Sequence, residues 1–172
     1  MILFIDTHDS LITIALKTES KLYIKTKESE YSHSIYVMPM IEEIFDENKL
    51  DVKDLKQIIV VNGPGSFTGI RIGLSIAKTI AYALNIKINS ISSLTAYLVS
   101  SDIDDNKMAV IEDNKELIKE FYSNENEYEK KYKEVEHNID VDKIVSYIGN
   151  AKSENPHHIN ANYIKKIEVE KW

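Results

Sequence analysis

Four of the five glycines and the one arginine of this chain fall between positions 63 and 73: Gly63, Gly65, Gly69, Gly73 and Arg71. A glycine-rich turn ahead of a helix presents free N–H groups and the positive end of the helix dipole, which suits a phosphate. The spacing argues against both common nucleotide motifs. A P-loop ends in Lys followed by Ser or Thr, whereas Ile70 and Arg71 follow Gly69 here; the dinucleotide fingerprint leaves two residues before its last glycine, and here three separate Gly65 from Gly69. The same residues make better sense as structure. Gly63, Pro64, Gly65, Ser66, Phe67, Thr68 and Gly69 form a rigid turn, with Pro64 fixing one φ angle, and Gly73, Ala77 and Ala81 recur every four residues, which lets another backbone approach the helix that follows.

Other chemistry is incomplete. Asp6, after the apolar run 2–5, is placed to hold a metal in an actin-like ATPase or a two-metal nuclease. A nuclease needs carboxylates converging from neighbouring elements; Glu42 or Glu43 supplies one, but Asn62 ends the next central strand. An ATPase needs a glycine-bearing phosphate loop, and the segment Thr7-His8-Asp9-Ser10 has no glycine. His33 has Val37 four positions on and His157-His158 are adjacent, so no His-x-x-x-His pair offers two ligands on one helical face. Gly65-Ser66-Phe67-Thr68-Gly69 is not a nucleophile elbow. With no cysteine there is no thiolate zinc site and no cysteine nucleophile. The sequence predicts neither a catalytic set nor a metal site.

The elements that position these residues follow from periodicity. Segments 2–6, 11–17 and 21–27 read as strands whose links are too short for a helix, hence an antiparallel meander. A helix is expected over 34–48, with a Ser cap and Pro39 inside it; then a buried central strand over 57–62, a helix over 68–84, a strand over 86–91 and a short helix to Val99. The order is βββαβαβα. Residues 101–106 are polar and divide a first lobe, 1–100, from a reduced second lobe, 107–172. In the second lobe 108–111, 117–123 and 128–135 read as strands, 141–148 as a helix and 161–169 as a last extended segment.

The first helix turns Tyr36, Met40, Glu43 and Glu47 outward, half of them apolar. The second is apolar nearly all round: Gly73, Ala77 and Ala81 on one face, Ile72, Ile76, Ile80 and Ala83 on another, Ile70, Leu74 and Leu84 on a third. Such a helix is buried on more than one side, and in a chain of 172 residues one side is free to meet another protein. Its remaining stripe is Arg71, Ser75, Lys78 and Tyr82, where a guanidinium fork suits a partner's carboxylates. The net charge of −7 is uneven, −1 over residues 1–98 (10 basic, 11 acidic) and −6 beyond (11 and 17), so the chain lacks the basic balance of a protein that grips nucleic acid alone. No stretch approaches the ~18 apolar residues of a membrane span and none reads as a signal peptide, so a cytoplasmic location is expected.

The stretch 61–78, Val-Asn-Gly-Pro-Gly-Ser-Phe-Thr-Gly-Ile-Arg-Ile-Gly-Leu-Ser-Ile-Ala-Lys, resembles the signature of the bacterial TsaB family, also called YeaZ. Ile5-Asp6-Thr7, His33-Ser34 with Pro39-Met40-Ile41, and Ile91-Ser92-Ser93-Leu94 agree with it. The resemblance covers residues 1–98. Beyond, 110–113 stands where the family has an Asp-Ala-Arg-like turn, Asn162-Tyr163-Ile164 resembles its late Tyr-Leu-Arg, and the chain is shorter than family members generally are. The resemblance implies an actin-like ATPase fold (RNase H-like, βββαβα) with one complete lobe and a truncated second. It implies a non-catalytic subunit in the formation of N6-threonylcarbamoyladenosine beside the tRNA anticodon. The catalytic paralogue TsaD and the ATPase TsaE would be its partners, ATP and threonylcarbamoyl-AMP being handled by those subunits and tRNA met only through the complex. The expected interface is His33, Tyr36, Met40, Arg71, Ile72, Gly73, Ser75, Ile76, Ala77, Lys78, Ile80 and Tyr82. The same surface predicts a homodimer in isolation, and a stand-alone actin-like ATPase is the alternative.

Overall fold

The computed structural model describes residues 1–29, 32–104, 106–113, 116–122, 131–149 and 151–162. Strands β1 (Ile2–Asp6), β2 (Leu11–Lys17) and β3 (Leu22–Glu28) form the expected meander. Helix α1 (His33–Asn48), a 3₁₀ turn (Val52–Asp54), β4 (Gln57–Val61), α2 (Phe67–Leu84), β5 (Lys87–Ile91) and α3 (Ser93–Ser100) follow. β4 and β5 add in parallel, giving a sheet ordered β3-β2-β1-β4-β5. This is the βββαβα sheet of the RNase H-like, actin-like ATPase lobe.

Alternation along the central strands explains the layers. Leu3, Ile5, Ile58 and Val60 point to one face with Ile12, Ile14 and Leu16, where α1 and α2 cover them with Val37, Ile41, Ile44, Ile70 and Leu74. Phe4, Ala15, Ile59 and Val61 point to the other face and meet Ala96 of α3 and Val141, Ile144 and Ile148 of α4 (Val141–Ile148). A strand sealed on both faces must be apolar throughout, as Gln57–Val61 nearly is. β3, at the edge, is mostly exposed and rich in Lys.

The helix boundaries have local causes. Ser66 Oγ accepts the Gly69 N–H at 3.2 Å to start α2, Ser92 Oγ accepts the Thr95 N–H at 2.9 Å to start α3, and Asp140 Oδ1 accepts the Lys143 N–H at 3.1 Å to start α4. α1 begins after Ser32 without a side-chain cap bond and runs through Pro39. Lys49 and Asn85, both left-handed, end α1 and α2.

A second sheet, β7-β6-β8, is built from β6 (Lys107–Asp113), β7 (Glu116–Tyr122) and the two-residue β8 (Lys133–Glu134). It packs through Ala109 and Val135 on Leu94, Tyr97 and Leu98 of α3. Within the expected strand 128–135 the described residues pair only at 133–134, and most of 161–169 lies outside the described residues. α4 and residues 151–162 do not join this small sheet. α4 lies on the first sheet, tied also by Lys17–Asp142 at 2.7 Å. The segment 152–154 runs along β5, with a bridge at Ile88–Glu154 and the Ser90 N–H donating to Glu154 Oε1 at 2.6 Å. Ile159 is buried with the α2 core. The described residues between 107 and 162 thus pack in two places, the small sheet on α3, and α4 with 151–162 on the first sheet. No described helix is long and apolar enough to cross a membrane.

Candidate functional site

The glycine segment packs α2 against the end of β1. A Cβ on Gly69 would lie 2.1 Å from the Thr7 carbonyl oxygen, and one on Gly73 2.4 Å from Thr7 Oγ1. Through this contact the Thr7 hydroxyl donates to the Gly69 carbonyl at 2.8 Å and the Ser66 N–H donates to the His8 carbonyl at 2.6 Å. The rigid-turn reading of 63–69 therefore has a concrete role: it seats the helix start on the chain's own first strand.

That geometry corrects part of the expected interface. Gly73 and Ala77 are buried against the chain's own sheet, so the small-residue stripe serves the internal contact. His33 is buried too, its Nε2 bonded to the Asp9 carbonyl at 2.7 Å. The α1 stripe Tyr36, Met40, Glu43 and Glu47 faces β3: Lys25 Nζ meets Glu43 at 3.0 Å and Glu47 at 2.7 Å, Lys27 sits 5.2 Å from the Tyr36 ring centre, and Met40 is in the core. Tyr82 turns to the other flank, edge-on to His157. Apolar surface does remain on the two helices. Ile72, Ile76 and Ile80 of α2 are half-buried, Ile35 is 64% and Met38 38% exposed on α1, and Phe67 is 49% exposed with Arg71 stacked 3.8 Å over its ring. Two hollows flank this seam: about 480 Å³ at the helix starts, lined by Ser34, Phe67, Arg71, Ile72 and Ile76, and about 600 Å³ at the helix ends.

A separate cleft of about 650 Å³ opens where β1 and β4 end, between the first sheet and the small one. Its floor holds a buried chain of polar groups. The His8 N–H and Nδ1 both bond Asp6 Oδ1, at 3.1 and 2.6 Å, while Nε2 and the Tyr97 hydroxyl are 2.6 Å apart. With Asp6 ionised, Nδ1 carries the proton that faces it, and the neutral ring accepts the Tyr97 hydroxyl proton at Nε2. Burial opposes protonation of His8, but the Asp6 charge, its hydrogen bond and Asp9 outweigh it, so the imidazole pKa is raised. Burial, then Asp9 and Asp6, push the Tyr97 hydroxyl far up, and the phenol stays protonated. His137 stacks on Tyr97 at 4.6 Å and 6°. Among the described residues the cleft lining includes the carboxylates Asp9 and Glu112, the imidazoles His8, His33 and His137, and no Lys or Arg. Sequence reasoning singled out Asp6 and missed His8 and Tyr97. A histidine two residues after a carboxylate that ends a central strand is the only local signal; Tyr97 lies 89 positions away.

Residues 24–170 match the family model described as TsaD, tRNA N6-adenosine threonylcarbamoyltransferase. Among curated relatives, the tRNA threonylcarbamoyladenosine biosynthesis protein TsaB of Bacillus subtilis strain 168 is 40% identical over 96 residues, 54% of this chain and 41% of that protein. The chain belongs to the family that this family model describes, and curated relatives it matches by sequence carry the name TsaB. TsaB of Buchnera aphidicola subsp. Baizongia pistaciae is 35% identical over 101 residues, 59% of this chain and 45% of its own. The chain thus spans less than half the length of these TsaB relatives. Two solved structures share the fold. YeaZ from Pseudomonas aeruginosa superposes with a TM-score of 0.65 at 23% identity, over 72% of this chain and 62% of that one. An uncharacterized protein with similarity to peptidase YEAZ from P. aeruginosa reaches 0.76 at 14% identity, over 95% of this chain and 99% of that one.

Proposed function

We propose that the chain is a non-catalytic subunit in the formation of N6-threonylcarbamoyladenosine on tRNA, docking the catalytic paralogue TsaD through the seam between α1 and α2. The observation that carries this reading is the uncovered apolar surface of Ile35, Met38, Ile72, Ile76 and Ile80, on a chain whose relatives are TsaB proteins. TsaE joins the same assembly, the partner subunits handle ATP and threonylcarbamoyl-AMP, and tRNA is met through the complex. Without the paralogue the seam pairs with a second copy. A stand-alone actin-like ATPase fits less well, because the carboxylate that would serve it, Asp6, is buried and bonded to His8.

Co-purification with the paralogue tests the reading. The wild-type chain is expected to form a complex, and Ile35→Glu, at an exposed position, to weaken it while leaving the melting temperature within a few degrees. Absence of a wild-type complex, or an Ile35→Glu/Ile76→Glu variant that binds as well as the wild type, overturns it. ATP turnover by the chain alone, lost in Asp6→Ala, would favour the ATPase.

A further inference from the structure

The chain has no cysteine, so its sulfur chemistry rests with four methionines. A thioether takes up one oxygen atom from a two-electron oxidant, provided the oxidant reaches the sulfur. Burial separates the four. Met40 is 7% exposed, in the core that α1 and α2 share with the first sheet. Met1 is half-buried against the same core, and Met108 is half-buried on the small sheet, opposite Phe121 across β6 and β7. Met38 is 38% exposed. It stands on the wall of the hollow of about 600 Å³ at the helix ends, where the apolar lining is Ile41, Phe45, Val52 and Ile80. The methionine most open to solvent is thus also the one on the uncovered apolar seam.

We propose that Met38 is an oxidation site, and that its conversion to the sulfoxide by hydrogen peroxide switches off association through the seam. The thioether sulfur attacks one peroxide oxygen, the O–O bond breaks, and the second oxygen leaves with both protons as water. The sulfur is oxidised by two electrons and the peroxide is reduced by the same two. Reaction at this position changes the seam more than the fold. The new oxygen is a strong hydrogen-bond acceptor on what was an apolar wall. Solvent satisfies it while the wall is open, whereas a helix laid over Ile41 and Ile80 buries it without a donor, and a buried polar group without a partner costs affinity. The same oxygen on Met40 would sit inside the core and unfold the chain instead. Reduction by a methionine sulfoxide reductase returns the apolar wall, so the change is reversible. The effect on association rests on the docking reading above; the choice of Met38 among the four methionines rests on burial within this chain.

The experiment treats the full chain with graded hydrogen peroxide and maps the added oxygen by peptide mass spectrometry. Association with the purified paralogue, and with itself by sedimentation, is measured before and after treatment. Met38 is expected to react about five-fold faster than Met40, the ratio of their exposures, 38% to 7%, and bound paralogue is expected to slow it. The oxidised chain should associate about ten-fold more weakly, the size of one polar group buried without a partner, keep its melting temperature within a few degrees, and recover after reductase treatment. Met38→Leu, which offers no sulfur at this position, should associate after peroxide within about two-fold of its own untreated value, whatever that value is. Oxidation of Met40 or Met108 ahead of Met38 in the folded chain overturns the site. Association unchanged within about two-fold once Met38 is fully oxidised overturns the switch and leaves the docking reading standing. An equal loss in peroxide-treated Met38→Leu also overturns the switch, because it traces the effect to another side chain. A wild-type chain that forms neither complex nor pair before treatment overturns the docking reading and the switch with it, while the order of oxidation alone still upholds or overturns the site.

Discussion

Gly73→Ala separates the two roles open to the small-residue stripe of α2. On a surface kept for a partner, alanine in place of glycine inside a helix would stabilise the chain by about 1 kcal/mol, the difference in helix propensity. In this structure the new methyl would lie 2.4 Å from Thr7 Oγ1, with Ile5 Cγ2 at 3.5 Å. The Thr7 hydroxyl cannot swing aside freely, because it donates to the Gly69 carbonyl at 2.8 Å in a buried setting. Overpacking of a filled core costs about 1–3 kcal/mol, and a displaced Thr7 hydroxyl, buried and without its acceptor, costs about 1–3 kcal/mol more. After subtracting the propensity gain, the expected destabilisation is about 1–5 kcal/mol. In a chain of this size 1 kcal/mol moves the midpoint by about 2–4 °C, so thermal unfolding followed by circular dichroism resolves it. Gly69→Ala should cost more, since its methyl meets the Thr7 backbone oxygen at 2.1 Å and a backbone cannot rotate away. A Gly73→Ala protein that melts at or above the wild-type temperature while losing its partner would refute the internal-packing account.

Three further outcomes follow from the cleft and the far side of the sheet. Tyr97→Phe removes the hydroxyl opposite His8 Nε2 and leaves a buried nitrogen without that partner, at an expected cost of about 1–3 kcal/mol in urea unfolding. The raised pKa of His8 makes its contribution pH-dependent: complete below the ordinary histidine value of 6.5 and lost as pH rises through the higher folded-state value. The stability gap between wild type and His8→Gln should therefore narrow from acid to alkaline pH, and a gap that widens would contradict the assignment. Ile144→Ala, at a fully buried position of α4 against Phe4 and Ile59, should cost about 2–5 kcal/mol and lower the single unfolding transition of the first sheet; a separate early transition would mean that α4 is not part of that core.

The first sheet and the four helices were legible in the sequence because each carries its own period. The apolar run that follows Gln57, through to Val61, reads as a strand covered on both faces, and the meander follows from links too short for a helix. What lay beyond local reading was which face of an all-apolar helix meets the chain itself. The residues that settle it, Thr7 for Gly73 and Lys25 for Glu43 and Glu47, come from distant strands. Exposed Met38 reads by periodicity as an inner-face residue of the first helix; its hollow is built by Val52 and Ile80, outside that helix. The cleft was half legible. Asp6 announces itself at a strand end, but its partner is a histidine whose other nitrogen meets a tyrosine 89 positions later, in α3, and no spacing encodes that meeting.

The strip of chain along β5 bears on how the molecule can associate. Unpaired strand edges invite sheet-to-sheet growth, and both borders of this sheet resist it. On one border, residues 152–154 take up the Asn89 side chain and the Ser90 N–H and bridge Ile88. On the other, β3 is lined with lysines, one of them anchored to two carboxylates of α1. With strand addition discouraged at each end of this sheet, encounters through it fall to the helices on its faces, the exposed Ile35 and Met38 of α1 among them. Crowding at high expression should then yield discrete helix-mediated pairs rather than open-ended fibrils.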